Sequence, residues 1–369
     1  LIFWLALSSN HLKSGKQGMS RTLKNSEELE NSFIDERVSA LLPKFEALAP
    51  YGRKQREQGI KNENLEGWKQ LATKEAALLK ATYPDDKPEA ERTYGACLRQ
   101  ITALKKYLKL AAKTQLKDHA NYHPVLTIVT HFGNALSFLF SPYKARQNES
   151  YREAVNERST PENRVELDLS PFLKLAYEVL SQVRDGATKD EVNWRDVSCA
   201  ISLVTGRRMG EVHLSGEFRQ VGAYEVVFKG QLKGKSRKLK VKAQDGNIKQ
   251  VALRDFEFTI PTLVPAELVV KGIQWLEANG KRFDRDEDPE RVNRTYSKVL
   301  SEKVKEWAIM DGMTYHKFRG AYFRACVEAA KVDPYDWEDY ARSILGDDDS
   351  ATIKAYKRFI IKPDSITKI

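Results

Sequence analysis

Arginines, lysines, a histidine and one tyrosine recur in this chain in an order suited to breaking a phosphodiester bond. Such a cleavage needs a nucleophile for phosphorus, cations on the non-bridging oxygens and an acid for the leaving 5′ oxygen. Arginine suits the second task, because its planar fork binds phosphate oxygens bidentately and keeps its charge. Preorganised donors of that kind stabilise the charge that develops on the phosphorane. The stretch Thr205-Gly206-Arg207-Arg208-Met209-Gly210-Glu211 follows a predicted helix and carries two arginines. Lys233 lies at the edge of a predicted hairpin, with Lys235, Arg237 and Lys238 close behind it. A lysine held near a phosphate can donate the proton, and each lysine of this group is a candidate. In Thr314-x-His316-x-x-Arg319 the histidine and arginine stand at i and i+3, so on a helix both reach one phosphate. Tyr356 follows Asp347 of Leu345-Gly346-Asp347 by nine residues. A free phenol titrates near pH ~10. Neighbouring Lys357 and Arg358, together with the arginine clamp, could stabilise its phenolate. Asp347 can accept a hydrogen bond but cannot donate one when ionised, which leaves its role open.

Singly, each motif has an ordinary structural explanation. Arg-x-x-Glu recurs on many helices, Thr314 can be a helix cap, and Tyr356 is one of 15 tyrosines. Their joint order is the distinguishing feature. Thr-Gly-x-Arg-x-x-Glu, a hairpin lysine, His-x-x-Arg and a tyrosine nine residues after Leu-Gly-Asp resemble the tyrosine recombinase and type IB topoisomerase superfamily. Within it, Thr205-Gly206-Arg207-Arg208-Met209 and Val227-Phe228-Lys229-Gly230-Gln231-Leu232-Lys233 look like the telomere resolvases, or protelomerases. That resemblance implies Arg208, Lys233, His316, Arg319 and Tyr356 as catalytic residues. Asp347 stands where the family pattern has histidine or tryptophan. It further implies a homodimer on palindromic double-stranded DNA, cleavage through a 3′-phosphotyrosine, and rejoining as closed hairpin ends. No metal, ATP or other cofactor is expected. A site-specific recombinase or integrase, and a non-catalytic DNA-binding relative, are the alternatives.

The net charge of +10, from 61 Lys+Arg against 51 Asp+Glu, favours a polyanionic partner. Arg92 to Lys117 carries no acidic residue, and Arg99, Lys105, Lys106, Lys109 and Lys113 lie along its predicted helix. These residues, with Arg207, Lys235 and Arg237, are candidate DNA contacts. Three scattered cysteines give neither a disulfide framework nor a metal pattern. No apolar run approaches membrane length, so the chain reads as soluble, cytoplasmic and DNA-associated, encoded by a bacterium, phage or plasmid.

The elements that must position these residues follow from periodicity. Glu27 to about Phe140 is helical in pattern, and a polar stretch from Lys144 to Asn163 reads as a domain junction. Beyond it, Leu169–Val183 and Val192–Leu203 read as helices. A small antiparallel sheet between Tyr224 and Ile260 follows, with turns at Gly234-Lys235-Ser236 and Asp245-Gly246-Asn247. From Ala266 onward the pattern is helical, broken around Asp284 to Pro289. The expected class is mainly α with a small antiparallel β-sheet. Residues 1–18 read as a leader or untranslated stretch and 19–156 as a helical DNA-binding core. Residues 157–369 read as a tyrosine-recombinase-like catalytic domain, the two domains clamping DNA.

Overall fold

A computed structural model describes residues 20–48, 67–84, 94–116, 122–232, 238–242, 248–347 and 350–366. The expected leader, Lys233, Lys235, Arg237 and both predicted hairpin turns lie outside the described residues. The chain divides into two compact units, Leu1–Tyr151 and Arg152–Ile369.

The first unit is helical. Its elements are α1 (Ser20–Leu48), α2 (Gly67–Thr82), α3 (Tyr94–Gln115) and α4 (Tyr122–Leu139). Their apolar stripes meet in one core, where Phe45 packs edge-on against Phe132 at 5.1 Å, beside Leu79, Leu104 and Leu108. Arg37 grips the buried carboxylate of Glu75 with two hydrogen bonds of 2.9 and 2.7 Å, joining α1 to α2. With its apolar side buried in this way, α3 turns Arg99, Lys106, Lys109 and Lys113 outward. Lys105 is half-buried and donates to Ser137 Oγ at 2.8 Å.

Helix α5 (Ser141–Ser159) carries the chain into the second unit. The sequence reads most of this stretch as an irregular junction because it has no apolar stripe. Only Tyr143 and Val155 are buried along it, yet its many helix-favouring Ala, Arg, Gln and Glu residues hold the helix.

In the second unit, β1 (Val165–Leu167) leads into α6 (Ser170–Arg184) and α7 (Trp194–Thr205). Asn193 caps α7 by accepting from the backbone N–H of Arg195 at 3.0 Å. A single π turn at Glu211–Ser215 precedes β2 (Glu217–Gly222), β3 (Glu225–Lys229), β4 (Lys238–Lys242), β5 (Ile248–Ala252) and β6 (Phe258–Pro261). Next come α8 (Ala266–Ala278) and α9 (Pro289–Glu306), with the predicted break between them. The unit ends with α10 (Phe318–Ala330), α11 (Trp337–Leu345), α12 (Ser350–Tyr356) and β7 (Phe359–Ile361).

The expected small sheet is two separate antiparallel pieces among the described strands, β2-β3-β6 and β4-β5. Alternation places Val226, Phe228, Phe258 and Ile260 on the buried face, in register Val226↔Ile260 and Phe228↔Phe258. The unpredicted pair β1-β7 is parallel and joins the start of the unit to the segment just beyond Tyr356. One core lies among α6, α7, α8 and α9, around Leu180, Ile201, Leu203, Ile273 and Leu300. A second packs the β3-β6 face against α10, α11 and the ring of Tyr356.

Candidate functional site

Three chain segments converge between these two cores. The first is the turn after α7. Gly206 ends that helix in the left-handed conformation (φ 65°), and a side chain there would meet the Tyr322 ring at 2.3 Å. The reversal sends the two adjacent arginines in different directions. Arg208 remains at the edge, its side chain 15% exposed, and donates to Glu211 Oε1 at 3.0 Å and Asp347 Oδ1 at 2.9 Å. Arg207 turns inward and is 1% exposed. It donates to the carbonyls of Thr205 (3.1 Å) and Ile344 (2.7 Å) and stacks 4.4 Å from the Phe228 ring centroid. Arg207 is therefore not the DNA contact expected from sequence; its charge is enclosed. Burial and the nearby Arg319 push its guanidinium down to about 10.

The second segment is the start of α10. Arg319 is 1% exposed and donates to the carbonyls of Gly206 (2.8 Å) and Leu345 (2.6 Å). Its Nε faces both Asp347 Oδ2 (3.0 Å) and Tyr356 Oη (3.2 Å). His316 does not share a helical face with Arg319. It sits on the 3-10 turn Tyr315–Lys317 before α10 and is exposed, while Arg319 points inward.

The third segment runs from α11 to α12. Gly346 ends α11 with φ 68°, and Gln231, itself fully buried, donates to the Leu345 carbonyl at 2.9 Å to fix that corner. Gln231 carries no task of its own in the sequence; its one signal is its place in the family-like stretch Val227-Phe228-Lys229-Gly230-Gln231-Leu232-Lys233. The corner presents Asp347, 4% exposed, to the two arginines. Tyr356, 6% exposed, donates to Asp347 Oδ2 at 2.6 Å.

One carboxylate thus collects both arginines and the tyrosine hydroxyl. Burial alone would raise Asp347, but Arg319 and Arg208 outweigh it and hold the carboxyl far below the usual range. Glu211, wholly buried, is likewise kept ionised by Arg208, Arg319 and Arg207 against the effect of burial. For Tyr356 the balance reverses: burial pushes the phenol up to about 12 despite Arg319. The expected help from Lys357 and Arg358 is not supplied in this arrangement. Lys357 Nζ lies 5.5 Å from the Trp337 ring and the Arg358 guanidinium 5.9 Å from that of Phe359.

Behind the site lies a polar chain that the sequence did not suggest. His213 Nδ1 donates to the Lys281 carbonyl (2.7 Å), so Nε2 accepts from Ser198 Oγ (2.6 Å), which also meets Tyr315 Oη at 3.0 Å. Burial lowers His213 to about 4, against about 6.5 for a free imidazole. The unfolded chain therefore binds the extra proton first. Its contribution to stability is complete above pH ~6.5 and fades as pH falls toward ~4, a loss of about 3 kcal/mol. His213→Gln should flatten that acid limb in urea unfolding. An equal pH slope in both chains would exclude His213 as its source.

Fold and site together define a domain that holds one small anionic group against a tyrosine hydroxyl. No group of three or more His, Cys, Asp or Glu among the described residues could hold a metal ion. The chain belongs to the family of the telomere resolvase ResT/TelK catalytic domain, whose model matches residues 163–359. It is 29% identical over 223 residues to the protelomerase of Escherichia phage N15, covering 55% of this chain and 32% of that protein. Against the protelomerase of Klebsiella oxytoca phage phiKO2 it is 26% identical, covering 53% of this chain and 31% of that protein. The chain thus spans about a third of the length of these curated relatives. The solved structure of protelomerase TelA, covalently complexed with substrate DNA, has the same fold. That match has a TM-score of 0.56 at 16% identity, covering 89% of this chain and 96% of the other.

Proposed function

We propose that this chain cleaves a palindromic replicated telomere through a 3′-phosphotyrosine and rejoins the strands as covalently closed hairpins. It acts as a dimer on duplex DNA in the bacterial cytoplasm, without metal or ATP. The observation that carries this reading is the convergence of Arg208, Arg319 and Tyr356 on the single carboxylate of Asp347. A phosphodiester is also a singly charged anion with two acceptor oxygens, so a clamp that fits a carboxylate fits it too. Tyr356 Oη attacks phosphorus, the two arginines carry the growing negative charge, and the P–O5′ bond breaks. Lys233 protonates the leaving oxygen, and exposed His316 approaches the phosphate from outside. Arg207 and Glu211 hold the clamp in place.

The outward cations of α3, with Lys235 and Arg237, are assigned to the DNA backbone. Removing Lys105, Lys106 and Lys109 together should reduce the slope of log K against log salt by roughly 0.9 per lost contact. An unchanged slope would leave this face merely solvated.

The deciding experiment is incubation with end-labelled palindromic duplexes. Fold-back hairpins that survive denaturation are the expected product. Exchanged strands would identify a recombinase, and a mobility shift without covalent products would identify a binding protein.

A further inference from the structure

We propose that Asp347 is the proton acceptor for Tyr356, and that it takes up this role when a scissile phosphate draws the two arginines away from it. The inference rests on the cleavage reaction proposed above. Its basis is the 2.6 Å hydrogen bond from Tyr356 Oη to Asp347 Oδ2, a distance at which a general base works. Among the described residues no other carboxylate or imidazole hydrogen-bonds that hydroxyl; Arg319 Nε, its other partner, is a donor. Glu211 is turned the other way, toward Arg208 Nη1 and the Arg208 backbone N–H, both at 3.0 Å.

With both arginines on it, Asp347 is a poor base. The groups facing it are Arg208, Arg319 and Tyr356, with Glu211 and the enclosed Arg207 behind the arginines. An entering phosphate competes for the same N–H donors and brings a negative charge of its own. Each arginine bond it takes withdraws stabilisation from the carboxylate, and its charge disfavours a second anion nearby. Both changes raise the proton affinity of Asp347, and the proton at hand is that of Tyr356. Substrate docking thereby converts a charge partner into a base.

In the forward step the Tyr356 O–H bond breaks and its proton passes to Asp347 Oδ2. The phenolate electron pair forms the bond to phosphorus, the P–O5′ bond breaks, and the 5′ oxygen takes a proton from the hairpin lysine. On rejoining, an attacking 5′-hydroxyl returns its proton to the lysine. The tyrosine oxygen then leaves phosphorus and recovers its proton from Asp347.

The test uses a pool of perfectly palindromic duplexes with randomised half-sites, from which the wild-type chain selects a substrate by forming a denaturant-resistant adduct. If the wild type forms none, the cleavage reading falls and this assignment falls with it. On the selected duplex, Asp347→Asn should bind as the wild type does but form adduct about 10²- to 10⁴-fold more slowly near neutrality. Its rate should then climb with pH, by about tenfold per unit, as hydroxide replaces the lost base. An Asn variant as fast as the wild type, or slow with an unchanged pH profile, overturns the proposal while leaving the cleavage reading intact. A second measurement keeps Asp347 in place and puts fluorotyrosine, a more acidic phenol, at position 356. If Asp347 is the base, the acid limb of the wild-type rate profile stays where it is. A limb that moves with the phenol shows that tyrosine ionisation alone governs the rate, and Asp347 is excluded.

Discussion

Tyr356→Phe is expected to abolish covalent adduct and cleavage while leaving DNA affinity near that of the wild type. The substitution removes one oxygen and nothing else that the site uses. The ring stays packed against Phe323, whose centroid is 5.4 Å away, and Asp347 keeps both arginines. The lost hydrogen bond to a charged acceptor costs about 1–2 kcal/mol of stability at most, since Arg319 still serves the same carboxylate oxygen. Denaturing gels of protein mixed with labelled duplex read the adduct, and titration at fixed salt reads the affinity. An adduct that persists in the Phe chain would remove Tyr356 from the nucleophile's place.

Arg319→Ala should damage catalysis and folding together, whereas Arg208→Ala should damage catalysis more selectively. Each removes a donor from the clamp, which is expected to slow single-turnover cleavage by about 10²- to 10³-fold or more. The structural consequences differ. Arg319 is 1% exposed and is the partner of two backbone carbonyls, at Gly206 and Leu345, as well as of Asp347. Its removal leaves buried acceptors behind and a carboxylate short of a cation, at about 3–5 kcal/mol. Arg208 lies at the rim, and Glu211 keeps the backbone N–H of residue 208 after truncation. Urea unfolding should therefore separate the two variants even where their cleavage rates coincide. Equal stability losses, or near-normal cleavage in either chain, would show the clamp to be placed wrongly. Arg319→Lys is not a safe control, because an ammonium cannot reach four oxygens spread around a planar fork.

Much of the site was legible because its parts are local. Arg208, Arg319, Asp347 and Tyr356 sit at fixed offsets from glycines, a histidine and a leucine, so their spacing survives in the one-dimensional text. Which of two neighbouring arginines faces outward was not legible. Charge marks Arg207 and Arg208 alike, and only the turn at Gly206 sends the first beneath Phe228. Gln231 and the His213–Ser198–Tyr315 chain escaped for a related reason: their partners are backbone carbonyls and residues far away in sequence. Helices with strong apolar stripes, such as α6 and α7, were read within a few residues. The stripe-poor α5 was not, because periodicity cannot report a helix that buries little. Strands of three residues, like β1 and β7, carry too few positions for alternation to be seen.

The parallel pairing of β1 with β7 also sets a timetable. Val165 cannot meet Phe359, nor Leu167 meet Ile361, until nearly the whole second unit has been synthesised. Arg324 adds its own late contact by donating to the Phe359 carbonyl at 2.8 Å. Closing so long a loop is entropically costly and slow, so local helical packing should precede it. Tyr356 therefore rides on a segment made well after the helices α6, α7 and α8 that it depends on. A nascent chain halted before Phe359 should protect α6, α7 and α8 from protease but leave α10 to α12 open to it. In such a fold, the Asp347–Tyr356 corner is not locked in place until Phe359 has been made and has reached back to Val165.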